Sequence, residues 1–238
     1  MTHYTRDFRD AKSEAAADYL VLICLNADLP GEAGKYQRDV CHEALRQLVL
    51  DTREFAELLG DVRDNGTSIE GVFQRRLPLV KLGDQQDFLR KITIQAAKMA
   101  DDTGRTTDAV LLYHLAGEYE SVISILCRAL SEAISVDLGQ EPLRLEPLKP
   151  RAPEDAQNPQ TKAASSSSSL SMVAIDDPVD LSRKMVLLYT QSPMYYEKIH
   201  HQTRNTIQTL IHLNEAKKLV EHGKFVEAYE VSSYCPWW

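Results

Sequence analysis

The chain has 238 residues, with 27 Lys and Arg against 35 Asp and Glu for a net charge of −8, and 43% of its residues are hydrophobic. That is the profile of a soluble globular chain of one or two domains. A pI near 5.4 argues against a sequence-independent grip on nucleic acid, which takes clustered basic side chains to displace counterions from phosphate; no direct nucleic-acid partner is expected.

Residues 1–136 carry 16 basic and 22 acidic side chains, residues 137–180 carry 4 and 8, and residues 181–238 carry 7 and 5. The acidity therefore sits in the N-terminal part and the middle. The start, Met1–Arg6, is polar and lacks the apolar stretch of a signal peptide. The most apolar run, Tyr19–Leu25, is interrupted upstream by Asp18 and closed by Asn26 and Asp28. It falls far short of the roughly 20 apolar residues needed to span a bilayer, so a buried helix is expected and no transmembrane segment.

The spacing predicts helices over residues 12–27 and 33–59, joined by a turn at Leu29-Pro30-Gly31. In the second, Val40, Cys41, Ala44, Leu45, Leu48, Val49, Phe55, Leu58 and Leu59 form one apolar stripe. Gly60 and Asp64-Asn65-Gly66 predict its end and a loop, and the weak pattern from Ser68 to Val80 predicts a short irregular helix. Asn65-Gly-Thr67 also has the form of a glycosylation triplet, but with no secretory signal it reads as a turn. Three helices follow, from Asp84 to Gly104, over 106–116 and over 119–135, with turns short enough to make them antiparallel neighbours.

From Gly139 to Ser171 come five prolines and the run Ser165–Ser169, with almost no large apolar residue after Leu148. Such a segment cannot repay the entropy of ordering, and it reads as a disordered linker or an extended arm. Asp177-Pro178 then restarts helix as N-cap and first helical residue, and helices are expected over 178–191, 193–222 and 224–234.

Three junctions share the pattern G-x-[TYF]-x-x-[AV]: Gly104 to Ala109, Gly117 to Val122 and Gly223 to Ala228. Glycine lets the chain reverse, the aromatic fills the gap between helices and the small residue allows close approach. The predicted fold is therefore all-α: an irregular α-solenoid of antiparallel helix hairpins with a disordered Pro/Ser-rich linker. Residues 1–136 form the helical solenoid segment, 137–175 the disordered linker, and 176–238 the C-terminal helices packing on or extending the solenoid.

No catalytic, cofactor-binding or metal-ligating residue stands out, and no cofactor or small-molecule substrate is expected. His200 and His201 are adjacent and point about 100° apart on a helix, unlike an i, i+4 chelating pair. His42-Glu43 lacks the second histidine of a zinc protease motif, because Arg46 occupies that position. His114 lies between Tyr113 and Leu115 and reads as a packing or surface residue. Cys24, Cys41, Cys127 and Cys235 are far apart, as in reduced cytosolic or nuclear proteins, and Cys24 and Cys127 sit among Leu, Ile and Val rather than beside a base. Cys235-Pro-Trp-Trp238 fits a prenylation signal poorly. No phosphate-cradling glycine loop, dinucleotide fingerprint or G-x-S-x-G elbow occurs, and the chain is read as a non-enzyme.

The segment Ala100–Leu126 (ADDTGRTTDAVLLYHLAGEYESVISIL), followed by Ala129–Ala133 (ALSEA), resembles the C-terminal half of the nucleoporin-interacting component family. Tyr4–Phe8 (YTRDF), Ala15–Leu25 (AAADYLVLICL), Asp176–Pro178 and Ala216–Gly223 (AKKLVEHG) continue the likeness, and fungal members look most similar. These are linker scaffold nucleoporins of the inner ring of the nuclear pore complex. The resemblance implies an elongated helical scaffold at the nuclear envelope. It would bind other inner-ring nucleoporins and support pore assembly and the transport of protein and mRNA. It also implies that this chain is a cut through a longer scaffold. The alternative reading is a generic helical-repeat adaptor of vesicle-coat or protein-degradation machinery, since fold alone does not fix function.

Overall fold

The computed structural model describes residues 12–25, 29–62, 68–76, 85–148 and 175–233. The N-terminal part holds α1 (Ser13–Cys24), α2 (Glu32–Thr52), the single turn α3 (Phe55–Leu58), a hairpin of β1 (Gly60–Val62) and β2 (Ser68–Glu70), and α4 (Val72–Arg76). Next come α5 (Gln85–Asp102), α6 (Thr106–Leu115) and α7 (Tyr119–Ser135). After the arm at 137–148, the chain resumes with α8 (Pro178–Gln191), the turn α9 (Pro193–Tyr196), α10 (His201–Glu221) and α11 (Phe225–Ser233). One core cluster runs from Ala16 and Leu20 of α1, through Leu45, Ile92, Leu112 and Leu126, to Ile207 and Ile211 of α10.

The expected stripe on the second helix is buried from Cys41 onward, with Val40 partly buried beside it, but the helix itself is not continuous. It stops at Thr52 because Arg53 takes the left-handed conformation, with φ 55° and ψ 22°. Phe55, Leu58 and Leu59 still reach the core, from a separate turn of helix. The expected irregular helix over 68–80 is corrected too. Ser68–Glu70 pairs antiparallel with Gly60–Val62, Gly60 opposite Glu70, and among the described residues 68–76 only Val72–Arg76 is helical. Gly60 has φ +108°, and a Cβ on Gly71 would lie 2.4 Å from the Gly60 nitrogen, so two glycines back to back let these backbones approach. Residues 63–67, with the Asn65-Gly66 turn, lie outside the described residues, as do 77–84.

The three repeated junctions close in one way. Gly104, Gly117 and Gly223 have φ of 75°, 76° and 74°. The amides of the next residues, Arg105, Glu118 and Lys224, donate to the carbonyls of Ala100, Tyr113 and Leu219, and each glycine amide donates to the carbonyl three residues back. These are Schellman caps, which satisfy the carbonyls orphaned at a helix end. Ala109, Val122 and Ala228 are buried beyond them. The aromatic position behaves unequally: Tyr119 is buried, whereas Phe225 is 67% exposed.

Helix α8 starts as expected, with the Asp177 carboxylate accepting from the Val179 amide at 2.8 Å. The helix expected over 193–222 is broken, because α9 ends at Tyr196 and α10 begins at His201. The Glu120 carboxylate of α7 accepts from the His200 amide at 2.8 Å and the Thr203 hydroxyl at 2.6 Å, so a neighbouring helix caps the new start. Farther along, Asn214 donates to the Leu130 carbonyl at 3.1 Å, and Lys217 to the carbonyls of Ala133, Ile134 and Val136. These pairs put α10 parallel to α7.

Of the residues expected as linker, 137–148 are described and form an arm held against the helices. Leu145 and Leu148 are buried in the common core, and the Leu145 amide donates to the Asp176 carbonyl at 2.7 Å. These two leucines are the last large apolar residues before the Pro/Ser-rich stretch, and they supply the burial that holds the arm. Residues 149–174, with Ser165–Ser169, lie outside the described residues.

Candidate interaction surface

His114 and Cys127, two side chains with catalytic chemistry, are used for packing. His114 of α6 is 4% exposed, and its Nδ1 lies 2.9 Å from the Tyr189 hydroxyl of α8. Its ring stacks on Tyr189 at 5.6 Å between centroids, with Tyr119 and Tyr195 at 5.5 and 5.7 Å. Burial without a compensating anion pushes its pKa down to about 4, so it stays neutral and joins α6, α7, α8 and α9. Burial also pushes the Cys127 thiol up to about 11, aided by Glu120. That is the opposite direction from an activated nucleophile.

His42 is half-buried against Phe88, with ring centroids 4.0 Å apart, and burial lowers its pKa. Arg46, standing where a zinc protease motif has its second histidine, pairs with Glu43 at 2.6 Å. His200 faces Glu120 at 3.3 Å and His201 faces Asn205 at 3.4 Å. Among the described residues no group of three His, Cys, Asp or Glu could hold a metal ion, and no helix is long and apolar enough to cross a membrane. Cys41, fully buried on α2, is disulfide-bonded, which corrects the expectation of reduced thiols at that position. Spacing along the chain says nothing about which thiols helix packing brings together. Cys127 is a free thiol, and Cys235 lies outside the described residues.

Chemistry for binding lies on the helix faces instead. On the last hairpin, Leu213 of α10 and Phe225, Val226 and Tyr229 of α11 are 40%, 67%, 74% and 75% exposed. Residues 225, 226 and 229 share one face of α11, and Ala228 is that helix's buried residue. At the other end of the chain, Leu22, Leu25, Leu29 and Tyr36 are exposed on the α1–α2 hairpin, and Leu187 and Met194 on α8 and α9. Grouped apolar side chains at hairpin faces are the surface a helical scaffold offers to another protein. Tyr19–Leu25 reads as a buried helix in the sequence, yet Tyr19, Leu22 and Leu25 are exposed, which only the packing shows.

Several ion pairs run between neighbouring helices. Arg90 of α5 pairs with Glu118 ahead of α7, Arg128 of α7 with Asp101 of α5, Arg183 of α8 with Glu215 of α10, and Lys218 of α10 with Asp177 at 2.5 Å. Exposed pairs of this kind add little stability each, but they fix which helix sits beside which.

The profile of the Nup93/Nic96 family matches residues 1–233. Nucleoporin NIC96 of Chaetomium thermophilum is 51% identical over 228 residues, which are 96% of this chain and 20% of that protein. Nucleoporin NIC96 of Saccharomyces cerevisiae is 35% identical over 95% of this chain and 24% of its own length. The crystal structure of Chaetomium thermophilum Nic96 SOL superposes with a TM-score of 0.85 at 49% identity, covering 98% of this chain and 32% of that one. The chain thus spans about a fifth to a quarter of the length of these curated relatives, and its helical fold is that of their solenoid. The chain belongs to the Nup93/Nic96 family.

Proposed function

We propose that this chain acts as a scaffold segment of the inner ring of the nuclear pore complex, in the nuclear envelope. It binds other nucleoporins through its exposed helix faces, and so supports pore assembly and the transport of protein and mRNA. The observation that carries this reading is the 51% identity to a nucleoporin across 96% of the chain. The site geometry agrees: His114 and Cys127 are spent on packing, whereas apolar side chains are left on the faces of α1–α2, α8–α9 and α11. The chain works as a binding protein, not an enzyme, and needs no cofactor, small-molecule substrate or nucleic acid. The adaptor reading in vesicle coats or degradation machinery draws no support from the relatives named above.

A fluorescently tagged chain expressed in yeast should give a punctate nuclear rim, and its affinity purification from nuclear extract should recover inner-ring nucleoporins. A vesicular or diffuse cytosolic signal from folded protein would overturn the proposal.

A further inference from the structure

Residues 143–148 have no regular secondary structure, yet both main-chain and side-chain contacts hold them. Leu145 and Leu148 are 8% and 5% exposed. The Leu145 amide donates to the Asp176 carbonyl, and Arg144 pairs with the Asp176 carboxylate at 2.5 Å. The Glu146 carboxylate pairs with Arg53, and its carbonyl accepts from the Thr107 hydroxyl. Two apolar anchors three residues apart, a carboxylate between them and two main-chain hydrogen bonds form the pattern by which proteins hold an extended peptide.

The seat under this arm is incompletely satisfied. Asp108, next to Thr107, is fully buried and bonded to Arg53 at 2.8 Å, but its Oδ1 and the Arg53 Nη2 are buried without a hydrogen-bond partner. Lifting the arm would let water reach both, which offsets part of what the two leucines lose. The arm's own ion pairs hold weakly, since the side chains of Glu146 and Arg144 are 56% and 60% exposed.

The geometry points to a releasable strap: residues 143–148 fill a groove over Arg53, Thr107 and Asp176. The same groove receives an extended segment of a partner protein that carries two leucines three apart with a carboxylate between them. The strap is this chain's own occupant of that site, and it competes with the partner.

The test uses the full chain and a fluorescein-labelled peptide with the sequence of residues 141–148. The double variant Leu145→Asp/Leu148→Asp should keep its helical circular dichroism and bind the peptide at least tenfold more tightly than the wild type. Adding Arg53→Ala should weaken that binding. Glu146→Lys, which repels Arg53 and leaves the leucines in place, should move binding the same way by a smaller factor. Loss of the fold in the double variant would make the arm an integral part of the core and overturn the proposal. Equal affinity in both proteins, or no binding by the folded variant at millimolar peptide, would overturn it as well. Concentration-dependent dimerisation of the wild type that the double variant lacks would assign the groove to the strap of a second copy, against a partner segment.

Discussion

The Lys217 ammonium of α10 lies 2.9 Å from the carbonyl oxygen of Ala133, near the end of α7, and also donates to the carbonyls of Ile134 and Val136. A cation at a helix C-terminus meets the negative end of the dipole and satisfies carbonyls that have no partner within the helix. Here the cap comes from a helix more than 80 residues away along the chain. Lys217→Met keeps the aliphatic stem and removes the donors. Urea unfolding should show a loss of about 1–2 kcal/mol, and an unchanged midpoint would remove Lys217 from the list of helix-joining contacts.

Arg53 and Asp108 should respond unequally to substitution. Asp108 is fully buried, whereas Arg53 keeps 23% of its side chain exposed and has Glu146 as a second partner. Arg53→Ala strands a buried carboxylate and should cost about 3 kcal/mol. Asp108→Asn leaves the arginine partly in water and should cost about 1 kcal/mol. Equilibrium denaturation of both variants checks the order, and a larger cost at Asp108 would show that the buried anion is not the sensitive partner.

His114 gives the fold a pH dependence of definite sign. Its folded pKa, about 4, lies below the ordinary 6.5, so between those values the unfolded chain binds more protons than the folded one. The stabilisation is present above pH 6.5 and is lost as pH falls through about 4, by roughly 3 kcal/mol in full. His114→Gln should flatten the stability profile over that window. An unchanged slope in thermal melts from pH 7 to pH 4 would show that other groups dominate the acid response.

The glycines divide into two classes. At Gly104 and Gly223 an added Cβ would meet nothing within 4 Å, so alanine there should cost only the left-handed backbone term, about 1 kcal/mol each. At Gly71 the added Cβ would lie within 2.6 Å of three backbone atoms of residues 58–60. Gly71→Ala should therefore part the hairpin and cost several times more. Melting temperatures of the three variants decide this, and equal shifts would contradict the close approach at Gly71.

Helix positions were legible wherever periodicity and punctuation agreed. Tyr119–Ser135 and Pro178–Gln191 fall where the spacing put them, because a Schellman glycine precedes the first and an Asp-Pro cap opens the second. Both breaks that spacing missed are made by distant partners. Arg53 turns left-handed where it meets Asp108, and residues 197–200 leave the helix where Glu120 captures His200 and Thr203. The short hairpin at Gly60–Glu70 was illegible because its strands have three residues each, too few for an alternating pattern to show.

On the interaction surface, Tyr119 and Phe225 occupy equivalent places in the repeated junction, yet one is buried against Tyr189 and Tyr195 and the other faces solvent. The repeat alone could not separate them, since burial depends on what stacks on the hairpin next. By itself the sequence determined the helical class, the glycine-capped hairpins and the family, because these rest on local periodicity, backbone conformation and long colinear strings. Only the tertiary structure decided that α10 runs parallel to α7, that the arm at 143–148 is seated on Arg53 and Thr107, and which apolar faces remain open. Those outcomes come from contacts between residues tens of positions apart, whose free energies no window along the chain contains.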